Sequence, residues 1–160
     1  MTNQDRIVLV AGATGRQGGA VVRHMLPKGW RLRALTRNPK SYAARQLAEK
    51  GVELVEGDMD DPASLERAAR GVYGIYSVQD FWTVGARREV QQGKNLADVA
   101  KKAGVEHLVY SSVGGAERNT GIRCQARSGR RRLGYDVVHA PSFMTGLAMT
   151  GPARCARQCA

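Results

Sequence analysis

The sequence predicts an α/β fold in which helices cover both faces of a doubly wound parallel sheet. Residues 7–11 are all apolar and mostly β-branched, which is typical of a strand that is buried on both faces. Glycines at positions 12, 15 and 18 follow this strand, and apolar residues at helical spacing come next. Four more strand-like segments then alternate with three more helical ones as far as residue 112. These observations predict a Rossmann-type unit with strand order 3-2-1-4-5 and ligands at the carboxyl ends of its strands.

The glycine motif after the first strand forms the candidate nucleotide site. Gly12 allows a sharp turn, Gly15 leaves room for a pyrophosphate against the backbone, and Gly18 lets the helix pack close to the strand. The free N–H groups at the start of that helix would face the phosphates. The motif therefore predicts nucleotide binding. The alternative is that the glycines serve only a tight turn between strand and helix.

The residues after the second strand indicate which dinucleotide is bound. The first helix ends near Gly29, and a strand is predicted over residues 31–36. Pro39 cannot continue this strand and is predicted to start a helix over about residues 40–50. A carboxylate at the strand tip would bind a ribose 2′-hydroxyl, whereas Arg37 favours a 2′-phosphate. NADP is therefore predicted over NAD, with a solvated surface arginine as the alternative.

Three carboxylates follow the third strand, which is predicted over residues 52–56. Asp58 lies at the carboxyl end of this strand, where it could accept a hydrogen bond from an adenine amino group. Asp61 and Pro62 match the N-cap and the first residue of a helix. A metal site is the alternative for these carboxylates, but turn and capping roles account for them, and no metal is predicted.

The second half of the predicted sheet begins with a strand over residues 72–78. The loop 79–82 contains a phenylalanine and a tryptophan, and it is predicted to form a wall of the cofactor cleft or, alternatively, a separate hydrophobic cluster. A long helix is predicted over about residues 87–103. Two further strands are predicted over residues 107–111 and 133–141.

Length and composition set the class of protein. With 160 residues, of which 42% are hydrophobic and 24% charged, the chain is predicted to fold as one globular domain. It contains no apolar run of the roughly 20 residues that a membrane span needs, and its first residues do not resemble a signal peptide. A cytoplasmic protein without a membrane partner is therefore expected. Residues 115–160 hold eight arginines and two carboxylates, so most of the net charge of +11 lies outside the nucleotide-binding unit.

Several motifs, in this order along the chain, closely resemble the NmrA-like branch of the atypical short-chain dehydrogenase/reductases. They are VAGATGRQG at residues 10–18, TRNP at 36–39, GDMDD at 57–61, GKNLAD at 93–98, and AGV at 103–105 followed by VYSS at 109–112. The resemblance covers residues 5 to about 122 and returns weakly over residues 133–149.

This resemblance implies a set of cofactor contacts. Those in the glycine loop are Gly12, Thr14, Gly15, Arg16, Gln17 and Gly18. Arg37 matches the contact to the 2′-phosphate, Asp58 and Met59 match the adenine wall, and Ser77 and Val78 match the position after the fourth strand. Members of this branch include redox-sensing regulators that bind dinucleotide without obvious turnover, and NADPH-dependent quinone reductases.

The catalytic residues stay unassigned because the chain departs from the reductase pattern. Reductases of the wider superfamily use a tyrosine as proton donor, a lysine four residues later that lowers its pKa, and a serine that orients the carbonyl. Ser111 or Ser112 could match that serine. However, no tyrosine in this chain has a lysine four residues downstream, and Lys102 is the last lysine. Ala140 stands where the family usually has an arginine.

The last part of the chain has a different composition. An NAD(P)-binding domain is predicted over residues 1–149, with an atypical segment at 123–132 and a disordered tail at 150–160. The arginines at 130–132 could bind nucleic acid, but they lack interleaved aromatic residues, and a compositional break explains them better. The three cysteines lack the paired spacing of a zinc site, and no disulfide is expected. This break predicts a truncated or frame-shifted chain whose C-terminal substrate-binding part is missing.

The function expected from these features is binding of NADP(H), by an NmrA-like regulator that responds to redox state and has a protein partner, or by an incomplete reductase. The alternative is a competent NADPH-dependent oxidoreductase that acts on quinones or similar small molecules. A basic nucleic-acid-binding module is a third interpretation, and it rests on charge alone.

Overall fold

A computed structural model describes residues 3–113 and 134–140, and the burial of side chains over residues 4–111. The described part contains one six-stranded parallel sheet, in the order β3-β2-β1-β4-β5-β6, and four α-helices. The elements are β1 (Ile7–Val10), α1 (Arg16–Met25), β2 (Arg31–Thr36), α2 (Tyr42–Glu49), β3 (Glu53–Glu56), α3 (Pro62–Ala68), β4 (Gly74–Ser77), α4 (Phe81–Lys102), β5 (His107–Val113) and β6 (Gly134–Ala140). The predicted order 3-2-1-4-5 is confirmed, and β6 extends the sheet beyond β5. The predictions for residues 123–132 and 150–160 lie outside the described residues.

The register of the sheet aligns the carboxyl ends of its strands. Val10, the last residue of β1, lies between Ala34 of β2 and Tyr76 of β4. Ser77 at the end of β4 pairs with Tyr110 of β5. Because the strands are parallel, the segments that follow β1 to β4 all start at one edge of the sheet. The chain changes direction between β1 and β4, so this edge is also where the topological switch point lies.

Two hydrophobic clusters, one on each face, hold the helices to the sheet. Leu9 of β1 packs with residues of α3 and α4 such as Leu65 and Leu96, all fully buried. Val10 belongs to the other cluster, with Val22 of α1 and residues of α2. The side chains of a strand point alternately to opposite faces, so neighbouring residues of β1 serve both clusters. This double burial explains why β1 is apolar throughout.

The longest helix, α4, has an additional short turn in front of the helix that the sequence predicted. α4 starts at Phe81, within the predicted loop 79–82, but Gly85 has non-helical φ 75° and ψ 166° and separates this turn from the rest. The helix after Gly85 agrees with the predicted helix over about residues 87–103. This glycine separates residues 81–84 from the helical pattern that follows it in the sequence. Phe81 and Trp82 are exposed, and their rings contact each other edge to face with centroids 5.3 Å apart.

In the part of the chain that the structure describes, no helix is long and apolar enough to cross a membrane.

Pro39 does not start α2, which corrects another prediction. The helix begins at Tyr42, and Ser41 is its N-cap, accepting a hydrogen bond from the Ala44 N–H. Before it, the side-chain oxygen of Asn38 accepts a hydrogen bond from the Lys40 N–H at 3.0 Å. Asparagine commonly closes a turn in this way, and the turn around Pro39 delays the helix by about one turn.

The predicted N-cap of α3 is confirmed. The carboxylate of Asp61 accepts a hydrogen bond from the Ala63 N–H at 3.0 Å, and Pro62 is the first helical residue. Replacing Asp61 by alanine is expected to lower the free energy of unfolding by about 1 kcal/mol, because an N–H group at the helix start loses its acceptor. Asp61→Asn keeps an acceptor and should lose much less. Chemical denaturation of both variants checks this, and an equal loss in both would contradict the capping role.

Candidate functional site

The loop between β1 and α1 is closed so tightly that only glycine fits at its key positions. Gly12 has φ +66°, and a Cβ atom on it would lie 2.9 Å from Cγ1 of Val78. A Cβ atom on Gly18 would lie 2.3 Å from the carbonyl oxygen of Gly12 and 2.8 Å from the nitrogen of Ala13. These are backbone atoms that cannot swing aside as a side chain can. The first turn of α1 is therefore pressed against the end of β1, as the spacing of the glycines predicted.

The start of α1 exposes N–H groups that no side chain covers. Gly15 is the N-cap and has no side chain to accept a hydrogen bond, and its own N–H donates to the carbonyl oxygen of Gly12 at 2.9 Å. The N–H groups of the first turn have no acceptor within the helix. Thr14, Gly15 and Arg16 are exposed beside them. The arrangement presents several donors and the positive end of the helix dipole, which suits an anionic group.

The structure places all the predicted contact residues along one edge of the sheet. Residues 12–18 follow β1, and Arg37 follows β2. Asp58 and Met59 follow β3, while Ser77 ends β4 and Val78 comes directly after it. Val78 also faces the glycine loop, as its approach to the Cβ position of Gly12 shows. The edge thus runs from Arg37 and Asp58 at one end, past the glycine loop, to the carboxyl end of β5.

Gln79 joins two of these segments. Loop 79–82 was predicted to form a wall of the cleft, but these contacts of Gln79 were not predicted. Its Nε2 donates a hydrogen bond to the hydroxyl oxygen of Ser77 at 2.8 Å and lies 3.9 Å from the sulfur of Met59. Its Oε1 is buried and has no hydrogen-bond partner among the described residues. The signal in the sequence was its position two residues beyond Ser77, at the end of a predicted strand.

Three residues on one face of α4 hold the loop after β3, and this contact was also missed. Arg88 forms an ion pair with Asp60, and Gln92 donates a hydrogen bond to the same carboxylate at 3.0 Å. Asn95 donates a hydrogen bond to the carbonyl oxygen of Met59 at 2.9 Å. The hydrogen bond from Arg88 is the main cause that holds the pKa of Asp60 below its ordinary value.

The three carboxylates after β3 have separate roles. Asp58 accepts a hydrogen bond from the Asp60 N–H at 3.0 Å, Asp60 pairs with Arg88, and Asp61 caps α3. Within the described ranges, no group of three or more His, Cys, Asp or Glu side chains is placed to hold a metal ion.

Two tyrosines and a serine lie towards the β5 end of the edge. The hydroxyl of Ser111 donates a hydrogen bond to Oε1 of Gln17 at 3.0 Å, which links β5 to the first turn of α1. Burial raises the pKa of Tyr76, and a hydrogen bond with Ser111 opposes this shift. Burial and the negative charge of Glu89 raise the pKa of Tyr110. Both tyrosines therefore keep their protons at neutral pH.

The last lysine is far from this end of the site. Lys102 ends α4, close to the amino end of β5, whereas the glycine loop lies at the carboxyl ends of the strands. Its ammonium group pairs with Glu66 at 2.6 Å. Lys102 therefore cannot lower the pKa of a tyrosine at the candidate site. The side chain of Ser112 lies outside the described residues.

Comparison with known proteins identifies the family. The model of the NmrA-like family matches residues 4–128. The NmrA-like oxidoreductase hkm9 of Aspergillus hancockii is 38% identical over 117 residues, which are 70% of this chain and 35% of that protein. The structure of the Escherichia coli NADPH-dependent quinone oxidoreductase QOR2 with NADPH is 32% identical, with a TM-score of 0.57, and the match covers 66% of this chain and 36% of that one.

The likeness extends to a protein with a different role. The negative transcriptional regulator NmrA, in complex with NAD, is 27% identical, with a TM-score of 0.62 over 72% of this chain and 36% of that one. In each of these comparisons, the chain spans about a third of the length of the relative. The family model covers more than half of the present chain, and the architecture agrees with it. The chain therefore belongs to the NmrA-like family and has its Rossmann-type α/β fold.

Proposed function

We propose that this chain binds NADP(H) and prefers it to NAD(H). The observation that carries the proposal is the glycine loop, in which Gly18 lies against the backbone of Gly12 and α1 starts with uncovered N–H groups. A cradle that a single Cβ atom would fill fits a diphosphate held by main-chain amides. The complexes of QOR2 with NADPH and of NmrA with NAD support the binding of a pyridine dinucleotide, because both proteins share this fold. The preference for NADP(H) rests on Arg37.

Each predicted residue has a role in this proposal. The amides of Arg16, Gln17 and Gly18 hold the diphosphate, with Gly12, Thr14 and Gly15 shaping the loop. Arg37 binds the 2′-phosphate, because a guanidinium group at the tip of β2 meets that group. Asp58 and Met59 line the adenine, and Ser77 and Val78 lie beside the part of the cofactor that passes β4. When NADPH is bound, its nicotinamide ring would supply a hydride. The residues of the protein would bind the cofactor and orient this ring.

The finer role divides into two candidates. As the cofactor-binding unit of a regulator or of an incomplete reductase, the chain would bind dinucleotide without turnover. The absence of a tyrosine with a lysine four residues later in the sequence favours this role over carbonyl reduction. The second candidate is an oxidoreductase acting on quinones, which can do without that pair, and the likeness to QOR2 favours it. A nucleic-acid-binding role rests on arginines that lie outside the described residues.

Titration of the purified chain with NADPH, NADH and duplex DNA at low and high salt tests these roles. We expect NADPH to bind more tightly than NADH, and we expect DNA to bind weakly at both salt concentrations. Consumption of NADPH after a quinone is added would favour the oxidoreductase, whereas binding without consumption would favour the regulator. If the folded chain binds neither pyridine dinucleotide, the proposed function is wrong. Tight DNA binding that weakens steeply with salt would identify a nucleic-acid-binding module.

A further inference from the structure

Two arginines act electrostatically on one carboxylate at the end of the site where the 2′-phosphate is expected. The loops after β2 and β3 are adjacent, since the Gly57 N–H donates a hydrogen bond to the carbonyl oxygen of Thr36 at 3.0 Å. Arg37 follows directly after Thr36, and Asp60 lies three residues after Gly57. On its other side, Asp60 is held by Arg88 of α4. The pKa of Asp60 is lowered first by the hydrogen bond from Arg88, and the positive charge of Arg37 acts in the same direction.

A carboxylate in this place opposes the binding of a 2′-phosphate. The carboxylate repels the phosphate. It also attracts the guanidinium group of Arg37, which is then less available to bind the phosphate. Proteins of this fold that bind NAD have an acidic residue that hydrogen-bonds the ribose 2′-hydroxyl, whereas those that bind NADP have an arginine near the 2′-phosphate. The chain nevertheless has Asp60 in the loop that lies beside the end of β2, where Arg37 follows Thr36. Binding of a 2′-phosphate there requires that the negative charge of Asp60 is compensated.

Arg88 and Gln92 provide this compensation. Arg88 pairs with the carboxylate, and Gln92 donates a hydrogen bond to it from a side chain that is only 4% exposed. The side chain of Arg88 is 60% exposed, and exposed ion pairs contribute little to stability. The main effect of the pair is therefore on the charge at this end of the site.

We propose that the ion pair between Arg88 and Asp60 sets the cofactor preference of this chain: Arg88 neutralises Asp60 and leaves Arg37 available to the 2′-phosphate. The inference rests on the proposed function, because it requires that a dinucleotide binds at the glycine loop. Arg88 acts here through Asp60 and is a positioning residue. Gln92 fixes the carboxylate against α4 while Arg88 supplies the charge.

Dissociation constants for NADPH and NADH, measured by fluorescence titration, test this role. Arg88→Ala is expected to weaken NADPH binding about tenfold at low salt, because an uncompensated charge then lies near the phosphate. NADH binding should change less than about twofold, since NADH has no 2′-phosphate. The effect on NADPH affinity should become smaller at about 1 M salt, because the Debye length is then roughly 3 Å and the charges are screened. The matched control is Arg87→Ala, which removes the same charge from an exposed neighbour on the same helix and should leave both affinities unchanged.

The double variant Asp60→Asn with Arg88→Ala decides the mechanism. It removes both charges of the pair, so NADPH affinity should return to within about threefold of the unmodified chain. If the double variant binds NADPH as weakly as Arg88→Ala alone, Arg88 does not act through Asp60 and the inference is overturned. Equal weakening of NADPH and NADH by Arg88→Ala would overturn it as well. Failure of the unmodified chain to bind either dinucleotide would instead refute the proposed function, so the two failures are distinguishable.

Discussion

Replacing Gly18 by alanine is expected to abolish dinucleotide binding and to lower the free energy of unfolding by about 3 kcal/mol. The added methyl group would lie 2.3 Å from the carbonyl oxygen of Gly12, 2.5 Å from the carbonyl carbon of Gly12, and 2.8 Å from the nitrogen of Ala13. No rotamer change relieves these contacts, because all three atoms are backbone. α1 would have to move away from β1, and the amides of its first turn would leave the positions that hold a diphosphate.

Gly19→Ala is the matched control for this experiment. Gly19 is the next residue of the same helix, and a Cβ atom there would lie 3.3 Å from the carbonyl oxygen of Ala13. Alanine is favoured over glycine in a helix by up to about 1 kcal/mol, which offsets this tighter contact. We expect the variant to be about as stable as the unmodified chain and to bind NADPH. Chemical denaturation and fluorescence titration of the two variants check the pair. Normal stability and binding in Gly18→Ala would show that the loop is not closed as described.

The sheet could be predicted from the sequence because its central strand, β1, is buried on both faces. Residues 7–11 have no polar alternation, which is typical of a covered parallel strand, and the glycines that follow favour the same interpretation. The glycine loop could also be predicted, since Gly12 has a positive φ and Gly18 touches backbone. These are local requirements, and each one restricts which residue type can occupy its position. The predicted boundaries of the strands lie within two residues of those in the structure.

The contacts of α4 with the loop after β3 could not be predicted, because they depend on tertiary packing. Arg88 and Asp60 are 28 residues apart, and Gln92 is 32 residues from the same carboxylate. Spacing along a helix shows that Arg88 and Gln92 share a face, but not which loop that face meets. The turn at residues 81–84 was not predicted for a different reason, since Gly85 separates it from the helical pattern that follows. The contacts with the cofactor itself stay predictions, which variants at Gly18, Arg37 and Arg88 test.

Replacing Arg37 by alanine is expected to weaken NADPH binding roughly 10- to 100-fold and to change NADH binding less than about threefold. A hydrogen bond between two charged groups contributes roughly 1.5–3 kcal/mol, which corresponds to this range of affinity. Arg37 is exposed at the tip of β2, and within the described residues no carboxylate is hydrogen-bonded to it. Its guanidinium group is therefore available to a phosphate. Calorimetric titration with both dinucleotides measures the two effects separately.

Arg31→Ala is the matched control, because Arg31 is exposed at the opposite end of the same strand. It removes the same charge far from the glycine loop, so NADPH affinity should stay within about twofold of the unmodified chain. A general loss of positive charge would weaken NADPH equally in both variants, and only a specific contact produces a loss confined to Arg37→Ala. If Arg37→Ala weakens NADPH and NADH by the same factor, Arg37 does not bind the 2′-phosphate. The preference for NADP would then have no basis at the end of β2, and the ion pair of Arg88 with Asp60 would lose the role proposed for it.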